Sequence, residues 1–175
     1  MRTNIHMQAL TWLRIQLMRH RRRSRGFVHD PVANAFPRIW IGDGGRLSPS
    51  FMSAFNITHI LNCADESACP SNIKTNIDPK RYTCLGALDS LHVNIFKWYP
   101  MFKSAMDAYL RDPACKGVYV HCQAGMNRSA FLAAAYIIRT FGVSFADCIQ
   151  RIVSQRPCVM TNPAFQVQLI DFVKR

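Results

Sequence analysis

The segment from residue 117 to residue 141 constrains the fold of this chain more than any other. It opens with the apolar run Gly-Val-Tyr-Val at 117–120, which predicts a strand buried on both faces, as is typical of the centre of a parallel sheet. A tight loop follows, and a helix is predicted over 129–141, where Gly142 ends it. A strand joined through a short loop to a helix is the building unit of α/β folds, so we expect an α/β domain.

The chain from residue 31 onward alternates between strand-like runs and helical patterns in the same way. Strands are predicted over 38–41, 58–62 and 82–85, and helices over 49–55, 94–110, 144–155 and 163–173, with Ser48, Ser144 and Asn162 as caps. Pro100 either kinks its helix or marks the true start. Residues 64–80 are rich in Asp, Ser, Pro and Asn, which predicts a loop. We expect one compact domain over 31–175, with a central, mostly parallel sheet flanked by helices.

Length and composition agree with one main domain. At 175 residues and 49% hydrophobic content, the chain can bury one sizeable core. No apolar run approaches the roughly 18–20 residues that a membrane-spanning helix needs, so a soluble protein is expected. The seven cysteines lack Cys-x-x-Cys spacing and no secretory signal precedes them, which predicts reduced thiols in the cytoplasm or nucleus and no secretion. No Cys/His quartet has zinc-ligand spacing, so neither a metal nor a cofactor is predicted.

The segment over 1–30 differs in kind from the rest of the chain. It holds seven arginines and no acid before Asp30, within a total net charge of +12. Apolar residues at roughly helical spacing predict a short amphipathic helix, followed by a basic linker that begins with the arginines at 21–23. Three roles stay open for this extension. It can pack loosely on the domain, contact a partner or a second copy, or act as a targeting signal for the nucleus, a mitochondrion or a membrane surface. The charge favours anionic partners such as phosphorylated proteins, nucleic acid or acidic lipid. The apolar residues of this helix are Ile5, Leu10, Trp12, Leu13, Leu17 and Met18.

The loop from His121 to Ser129 has the residues of an anion-binding site. Backbone N–H groups at the start of a helix are unpaired, and the positive end of the helix dipole lies there. Gly125 lets the backbone curl so that successive N–H groups point inward, and Arg128 can grip two phosphate oxygens at once. The predicted phosphate-binding residues are Gln123, Ala124, Gly125, Met126, Asn127 and Arg128.

Cys122 is the predicted nucleophile at the floor of this loop. The helix dipole and Arg128 favour the thiolate, which is the reactive form of cysteine. Ser129 can donate a hydrogen bond to the sulfur and stabilise the thiolate when a phosphocysteine breaks down, while His121 flanks the loop on its other side. The chemistry predicted is attack of a thiolate on phosphorus without a metal. The cysteines that could trap an oxidised Cys122 as a disulfide are Cys63, Cys84 and Cys148.

Such a reaction also needs a carboxyl group, which protonates the leaving oxygen and then activates water. The upstream candidates are Asp65, Asp78, Asp89, Asp107 and Asp112. Asp107 lies in a helical pattern and Asp112 at a helix end, so structural roles suit both. Asp89 lies in a loop just after a strand, where a mobile acid can swing over the site, and Asp65 is the alternative.

The pattern His-Cys-x-x-Gly-x-x-Arg-Ser after an apolar strand resembles the signature of the cysteine-dependent phosphatases. From about position 37 to position 173 the chain resembles their dual-specificity branch, because Asp89 follows the strand that begins at Tyr82 and Asn-Pro-x-Phe occurs at 162–165. The resemblance implies that Asp89 is the general acid and that phosphotyrosine, phosphoserine and phosphothreonine are hydrolysed through a phosphocysteine. A domain confined to 31–175 also leaves no room for the loop that deepens the pocket of tyrosine-specific enzymes.

The loop sequence Gly-x-Asn-Arg-Ser, together with a helical N-terminal extension, resembles the vaccinia-type viral dual-specificity phosphatases. That likeness implies a homodimer formed through the N-terminal helix. It also implies a location in the cytoplasm or nucleus of a host cell, or association with a virion.

Three other functions stay open at this point. The net charge of +12 suggests an RNA 5′-triphosphatase or phosphatase of the same superfamily, although such relatives usually carry threonine where this chain has Ser129. A phosphoinositide phosphatase usually carries lysines in the loop, and this loop has none. A pseudo-phosphatase would bind phosphorylated partners without hydrolysis, and the intact Cys122, Arg128 and Asp89 argue against it.

Overall fold

One five-stranded sheet forms the centre of the computed structural model, which describes residues 4–23 and 31–174. Its strands are β1 (Ala33–Phe36), β2 (Ile39–Asp43), β3 (His59–Asn62), β4 (Tyr82–Cys84) and β5 (Val118–Cys122). They lie in the order β1-β2-β5-β3-β4, with β1 antiparallel to β2 and the other neighbours parallel. All five residues of β5 are buried, as expected for a central strand. The predicted α/β fold with a mostly parallel sheet is confirmed.

Helices pack on both faces of the sheet. They are α1 (Asn4–Arg23), α2 (Pro49–Ala54), α3 (Ser71–Asn76), α4 (Tyr99–Arg111), α5 (Arg128–Phe141), α6 (Phe145–Gln155) and α7 (Pro163–Val173). The side chains of Ser48, Ser144 and Asn162 accept backbone N–H groups at the starts of α2, α6 and α7, as predicted. Gly142 ends α5 in the left-handed conformation that glycine adopts without strain. Within the described part of the chain, every helix falls short of the combined length and apolar character that a bilayer crossing requires.

Three short segments refine the prediction. β1 precedes β2 through a turn in which Arg38 has a φ of +65°, and its Ala-Asn-Ala-Phe sequence shows no strand period. Inside the predicted loop over 64–80, α3 forms six residues of helix and buries Ile73. α4 begins at Tyr99, so Pro100 lies in its first turn and starts the helix rather than kinking it.

α1 packs on the domain through one face. Leu10, Leu13 and Leu17 are buried and belong to the main apolar core, and the helix contacts α6 and α7. The predicted apolar residues nearest its two ends, Ile5 and Met18, are instead exposed. The predicted helix is therefore present, with a narrower apolar face than the sequence suggests.

The C-terminal end of α1 differs from the prediction. The helix continues to Arg23, so the arginines at 21–23 form its last turn, and the prediction that they begin a linker is wrong. Arginine is a good helix former, and its charge complements the helix dipole at a C-terminal end. Residues 24–30, the remainder of the predicted linker, lie outside the described residues.

The carboxyl ends of three parallel strands meet at one edge of the sheet. The register pairs Asp43 at the end of β2 with Cys122 at the end of β5, and Asn62 at the end of β3 with His121. α5 starts beyond the same edge, and its residues 129–137 are all buried. Strand ends and a helix start thus converge there, which is where parallel α/β sheets place their binding sites.

Candidate active site

A tight loop joins β5 to α5, and residues 122–128 are called the phosphate loop below. Gly125 has a φ of +62°, and a Cβ at this position would lie 2.2 Å from the carbonyl carbon of Gly42. Only glycine fits there, because any side chain would strike the end of β2. The turn leads directly into the start of α5, where a helix has unpaired N–H groups that can bind an anion.

Arg156 supports the phosphate loop from outside. It follows α6, is completely buried, and donates from Nε to the carbonyl oxygen of Gly125 at 2.8 Å and from Nη2 to that of Ala124 at 2.8 Å. Its Nη1 donates to the carbonyl oxygen of Pro31 at 2.6 Å. Because the C=O and N–H of a trans peptide point in opposite directions, holding these carbonyls outward turns the N–H groups of the same peptides inward. Sequence reasoning missed Arg156, since an arginine at a helix end has no motif of its own.

Cys122 ends β5 with its thiol buried at the start of α5. The hydroxyl of Ser129 donates to its Sγ across 3.5 Å, which is the contact expected of Ser129. His121 is completely buried, and its Nδ1 lies 3.2 Å from the carbonyl oxygen of Cys122. Burial lowers the pKa of His121 to about 4, so at pH 7 the ring is neutral and Nδ1 carries the hydrogen that it donates.

Arg128 lies at the start of α5, and its Nη1 and Nε atoms have different surroundings. Its Nη1 donates to the carbonyl oxygen of Ala87 at 3.1 Å, which connects it to the loop after β4. Its Nε is buried and has no hydrogen-bond partner among residues 4–23 and 31–174. A buried guanidinium N–H without an acceptor is costly, and a phosphate oxygen in the loop would supply that acceptor.

Asp89 lies over the phosphate loop, and both of its carboxylate oxygens are bonded. Oδ2 accepts from Nδ2 of Asn127 at 2.9 Å, and Oδ1 accepts from Nδ2 of Asn162 at 2.9 Å. The acid that the sequence predicts to be mobile is therefore tied down. Asn127, predicted to bind phosphate, turns its side chain to Asp89 and keeps only its backbone N–H for an anion. For Asn162 the sequence shows a helix cap and gives no sign of the second contact.

The other candidate acids have different partners. Asp65 is exposed and accepts from the hydroxyl of Ser67 and, at 2.9 Å, from its backbone N–H. These two bonds, with a smaller contribution from Arg128, lower the pKa of Asp65. The side chain of Asp65 bonds to a residue of its own turn, whereas that of Asp89 bonds to the phosphate loop. The remaining aspartates bond to structural groups, Asp78 to the N–H of Lys80, Asp107 to the hydroxyl of Tyr136 and Asp112 to the imidazole of His59.

Cys63 lies beside Cys122 at the same edge of the sheet. Asn62 pairs with His121 in the parallel register, so the residues that follow them are neighbours on one face. The N–H of Cys63 donates to the carbonyl oxygen of His121 at 2.7 Å. Burial raises the pKa of the Cys63 thiol well above its ordinary value, so this cysteine is protonated. The other two cysteines considered as disulfide partners lie on β4 and α6, and the disulfide itself stays a prediction.

Comparison with known proteins finds relatives along most of the chain. A family model described as dual specificity phosphatase, catalytic domain, matches residues 39–175. The serine/threonine/tyrosine-interacting protein of Mus musculus is 34% identical over 145 residues, which are 81% of this chain and 64% of that protein. Dual specificity protein phosphatase 22 of Xenopus tropicalis is 35% identical over 121 residues, which are 68% of this chain and 53% of that protein. The chain spans about three fifths of the length of the first two curated relatives that it matches.

Solved structures share the fold. The human tyrosine phosphatase-like serine/threonine/tyrosine-interacting protein superposes with a TM-score of 0.66 at 27% identity, covering 81% of this chain and 94% of that chain. Human DUSP28 superposes with a TM-score of 0.69 at 22% identity, covering 84% of this chain and 95% of that chain. At such low identity the likeness to DUSP28 speaks for the fold alone.

Proposed function

Because this chain belongs to the dual-specificity phosphatase family, we propose that it is a cysteine-dependent enzyme that hydrolyses phosphotyrosine, phosphoserine and phosphothreonine in proteins. We base this on Arg128, which lies at the start of α5, just beyond the strand that ends at Cys122. Its buried Nε has no hydrogen-bond partner within the described ranges 4–23 and 31–174. Phosphoryl transfer to sulfur requires a thiolate and an arginine edge that can face the same phosphate.

In the first step, the Cys122 thiolate attacks phosphorus. A P–S bond forms, the P–O ester bond breaks, and Asp89 gives its proton to the leaving oxygen. The inward N–H groups of the phosphate loop and the guanidinium of Arg128 stabilise the charge on the three non-bridging oxygens. The products are a phosphocysteine and the free hydroxyl group of the substrate.

In the second step, water attacks the phosphocysteine. Asp89 is now a carboxylate and accepts a proton from the attacking water. The P–S bond breaks, its electron pair returns to sulfur, and inorganic phosphate leaves. The hydroxyl of Ser129, 3.5 Å from Sγ, stabilises the departing thiolate by donating to it.

Charges around the phosphate loop support phosphoproteins over RNA as substrates. Asp43, at the end of β2, pairs with Arg46 at 3.8 Å, and Glu66, after β3, pairs with Lys74 at 3.5 Å. Asp65 adds an exposed carboxylate on the same side. An RNA strand would bring several phosphates to this edge and would meet acids as well as bases. Arg14, Arg19 and Arg21 lie instead on α1, which packs on α6 and α7.

A second candidate is a protein that docks phosphorylated partners without hydrolysing them. It is favoured by the relatives named serine/threonine/tyrosine-interacting protein, one of which is described as phosphatase-like in its solved structure. The presence of Cys122, Arg128 and Asp89, with the Ser129 hydroxyl at the sulfur, favours the enzyme. In both cases we propose phosphorylated proteins of the cytoplasm or nucleus as partners, and a homodimer through α1.

Parallel turnover of a phosphotyrosyl peptide, a phosphothreonyl peptide and a triphosphate-ended RNA at matched salt tests the proposal. We expect phosphate release from both peptides, and none from Cys122→Ser, which should still bind the phosphotyrosyl peptide. Cys84→Ser changes a half-buried cysteine on β4 and serves as the matched control with wild-type rates. A clear preference for RNA would overturn the substrate class. Binding without turnover in the wild type would establish the second candidate.

A further inference from the structure

Two asparagine side chains join the loop that carries Asp89 to the rest of the site. Asn127 belongs to the phosphate loop and directly precedes Arg128, whereas Asn162 caps α7. Each donates an amide hydrogen to a different carboxylate oxygen of Asp89, at 2.9 Å in both cases. Two hydrogen bonds, one to each oxygen, fix the orientation of the carboxylate plane and its distance from the phosphate loop.

Both asparagines are themselves held by backbone groups. Oδ1 of Asn127 accepts from the N–H groups of Thr161 at 2.8 Å and Asn162 at 3.0 Å, and from the Thr161 hydroxyl at 3.1 Å. Oδ1 of Asn162 accepts from the N–H groups of Ala164 at 3.0 Å and Phe165 at 3.2 Å. Both asparagines are buried. The surrounding backbone therefore sets which way each amide points, and in both cases its N–H₂ end faces Asp89.

Asp89, by contrast, lies on an exposed stretch of chain. Leu88 and Leu91, on either side of it, are 57% and 58% exposed, so they anchor the loop weakly. Arg128 and Gln168 donate to backbone carbonyls near the two ends of this loop, at 3.1 Å and 2.9 Å. Between those two attachments, the asparagine amides define where the carboxyl group lies.

We propose that Asn127 and Asn162 are positioning residues that hold the Asp89 carboxyl group over the phosphate loop before substrate binds. This inference rests on the proposed function, because it assigns both amides to the proton-transfer step. Each oxygen accepts one of the two amide hydrogens, which leaves a second lone pair on each oxygen for the proton that moves to the leaving group. The competing explanation is a brace between two loops that has no part in proton transfer.

Asn162→Ser separates these explanations. Serine is also a preferred helix cap, so α7 stays capped, but its side chain is too short to reach Asp89. We expect kcat/KM, which reports the step that forms the phosphocysteine, to fall roughly tenfold on an alkyl phosphate and less than about threefold on nitrophenyl phosphate, whose leaving oxygen needs little protonation. Asn127→Ser should act in the same direction. The matched control is Asn94→Ser, which changes an exposed cap of the turn before α4 and should keep wild-type kinetics.

A double-mutant cycle gives the decisive comparison. In an Asp89→Asn background, Asn162→Ser should have no further effect on kcat/KM for the alkyl phosphate, because the amide acts through the carboxyl group that is already lost. An equal loss of kcat/KM in both backgrounds, or an equal loss of kcat/KM on both leaving groups, would overturn the positioning role in favour of the brace.

Hydrogen–deuterium exchange reports on the same contacts without turnover. The backbone amides of residues 86–93 should exchange severalfold faster in Asn162→Ser and Asn127→Ser than in the wild type, and at the wild-type rate in Asn94→Ser. Unchanged exchange in the first two variants would overturn the inference whatever their activity. If the wild type turns over no substrate, the proposed function fails, and the exchange data still decide whether these asparagines hold Asp89.

Discussion

His121 makes the stability of the site depend on pH. Its imidazole is completely buried, with its ring centre 5.9 Å from that of Tyr119, and burial lowers its pKa to about 4. An unfolded chain has a histidine pKa of about 6.5, so between pH 6.5 and pH 4 the unfolded state binds a proton that the folded state does not. The contribution of the neutral ring is therefore complete above pH 6.5 and is lost as the pH falls toward 4.

From pH 7 to pH 5, we expect the free energy of unfolding to fall by about 2 kcal/mol more in the wild type than in His121→Asn. Urea unfolding at the two pH values measures this difference. Only the change with pH is compared, so a general destabilisation by the substitution does not affect the result. His92→Asn, in an exposed loop, is the control and should behave like the wild type. Identical changes in all three proteins would contradict a neutral, buried His121.

The sequence best predicts the site residues whose chemistry needs a fixed spacing within one loop. These are Cys122, Gly125 and Arg128. Arg156 could not be predicted, because no spacing rule connects it to carbonyl groups 31 and 32 residues earlier. The place of Asn127 in the loop predicts a phosphate contact, whereas its side chain bonds to a carboxylate 38 residues away. Contacts between loops depend on the three-dimensional arrangement, which local pattern does not contain.

One arginine connects the end of α6 to the phosphate loop. Arg156 donates to the carbonyl oxygens of Ala124 and Gly125 at 2.8 Å each. In Arg156→Lys a single ammonium replaces the planar guanidinium, so it cannot hold two carbonyls in the same geometry. We expect the Ki of orthovanadate and the KM of a phosphate ester to rise roughly tenfold or more, since a hydrogen bond from a charged donor is worth about 1.5–3 kcal/mol.

Arg151→Lys, on α6, is the matched control. Arg151 is exposed and donates from Nε to the carbonyl oxygen of Asn34 in β1 at 2.9 Å, so its replacement should leave the Ki within about twofold. Inhibition is measured well below the unfolding midpoint of each variant, which separates loop shape from loss of folded protein. An unchanged Ki in Arg156→Lys would mean that the phosphate loop keeps its shape without this arginine.

A helix or strand can be predicted from the sequence when the interactions that form it join residues close together in the chain. Ser48, Ser144 and Asn162 mark helix starts through bonds to the next few residues, so sequence reveals these helices. β1 has four residues and α3 has six, which is too short for a period to appear. β1 depends on pairing with β2, and α3 on the packing of Ile73, so tertiary structure decides both.

The packing of α1 indicates at which residue the folded domain begins. The sequence predicts an extension over 1–30 that is separate from a domain over 31–175. Yet Leu13 has no exposed surface and lies in the same apolar core as residues of α6 and α7. Arg14 also donates to Gln166 of α7 at 3.2 Å, and Gln166 donates to the carbonyl oxygen of Met160 at 2.8 Å. We therefore expect α1 to unfold together with the domain that carries the phosphate loop.

Leu13→Ala tests this expectation. A fully buried leucine replaced by alanine costs roughly 2–5 kcal/mol, so we expect the free energy of unfolding to fall by about 3 kcal/mol within a single cooperative transition. Ile15→Ala, on the same helix but 37% exposed, should change it by less than about 0.5 kcal/mol. Chemical unfolding followed by circular dichroism measures both variants. If α1 were a loosely attached tail, Leu13→Ala would leave the main transition where it is, because the core beneath would keep its packing, and the predicted boundary near residue 31 would hold.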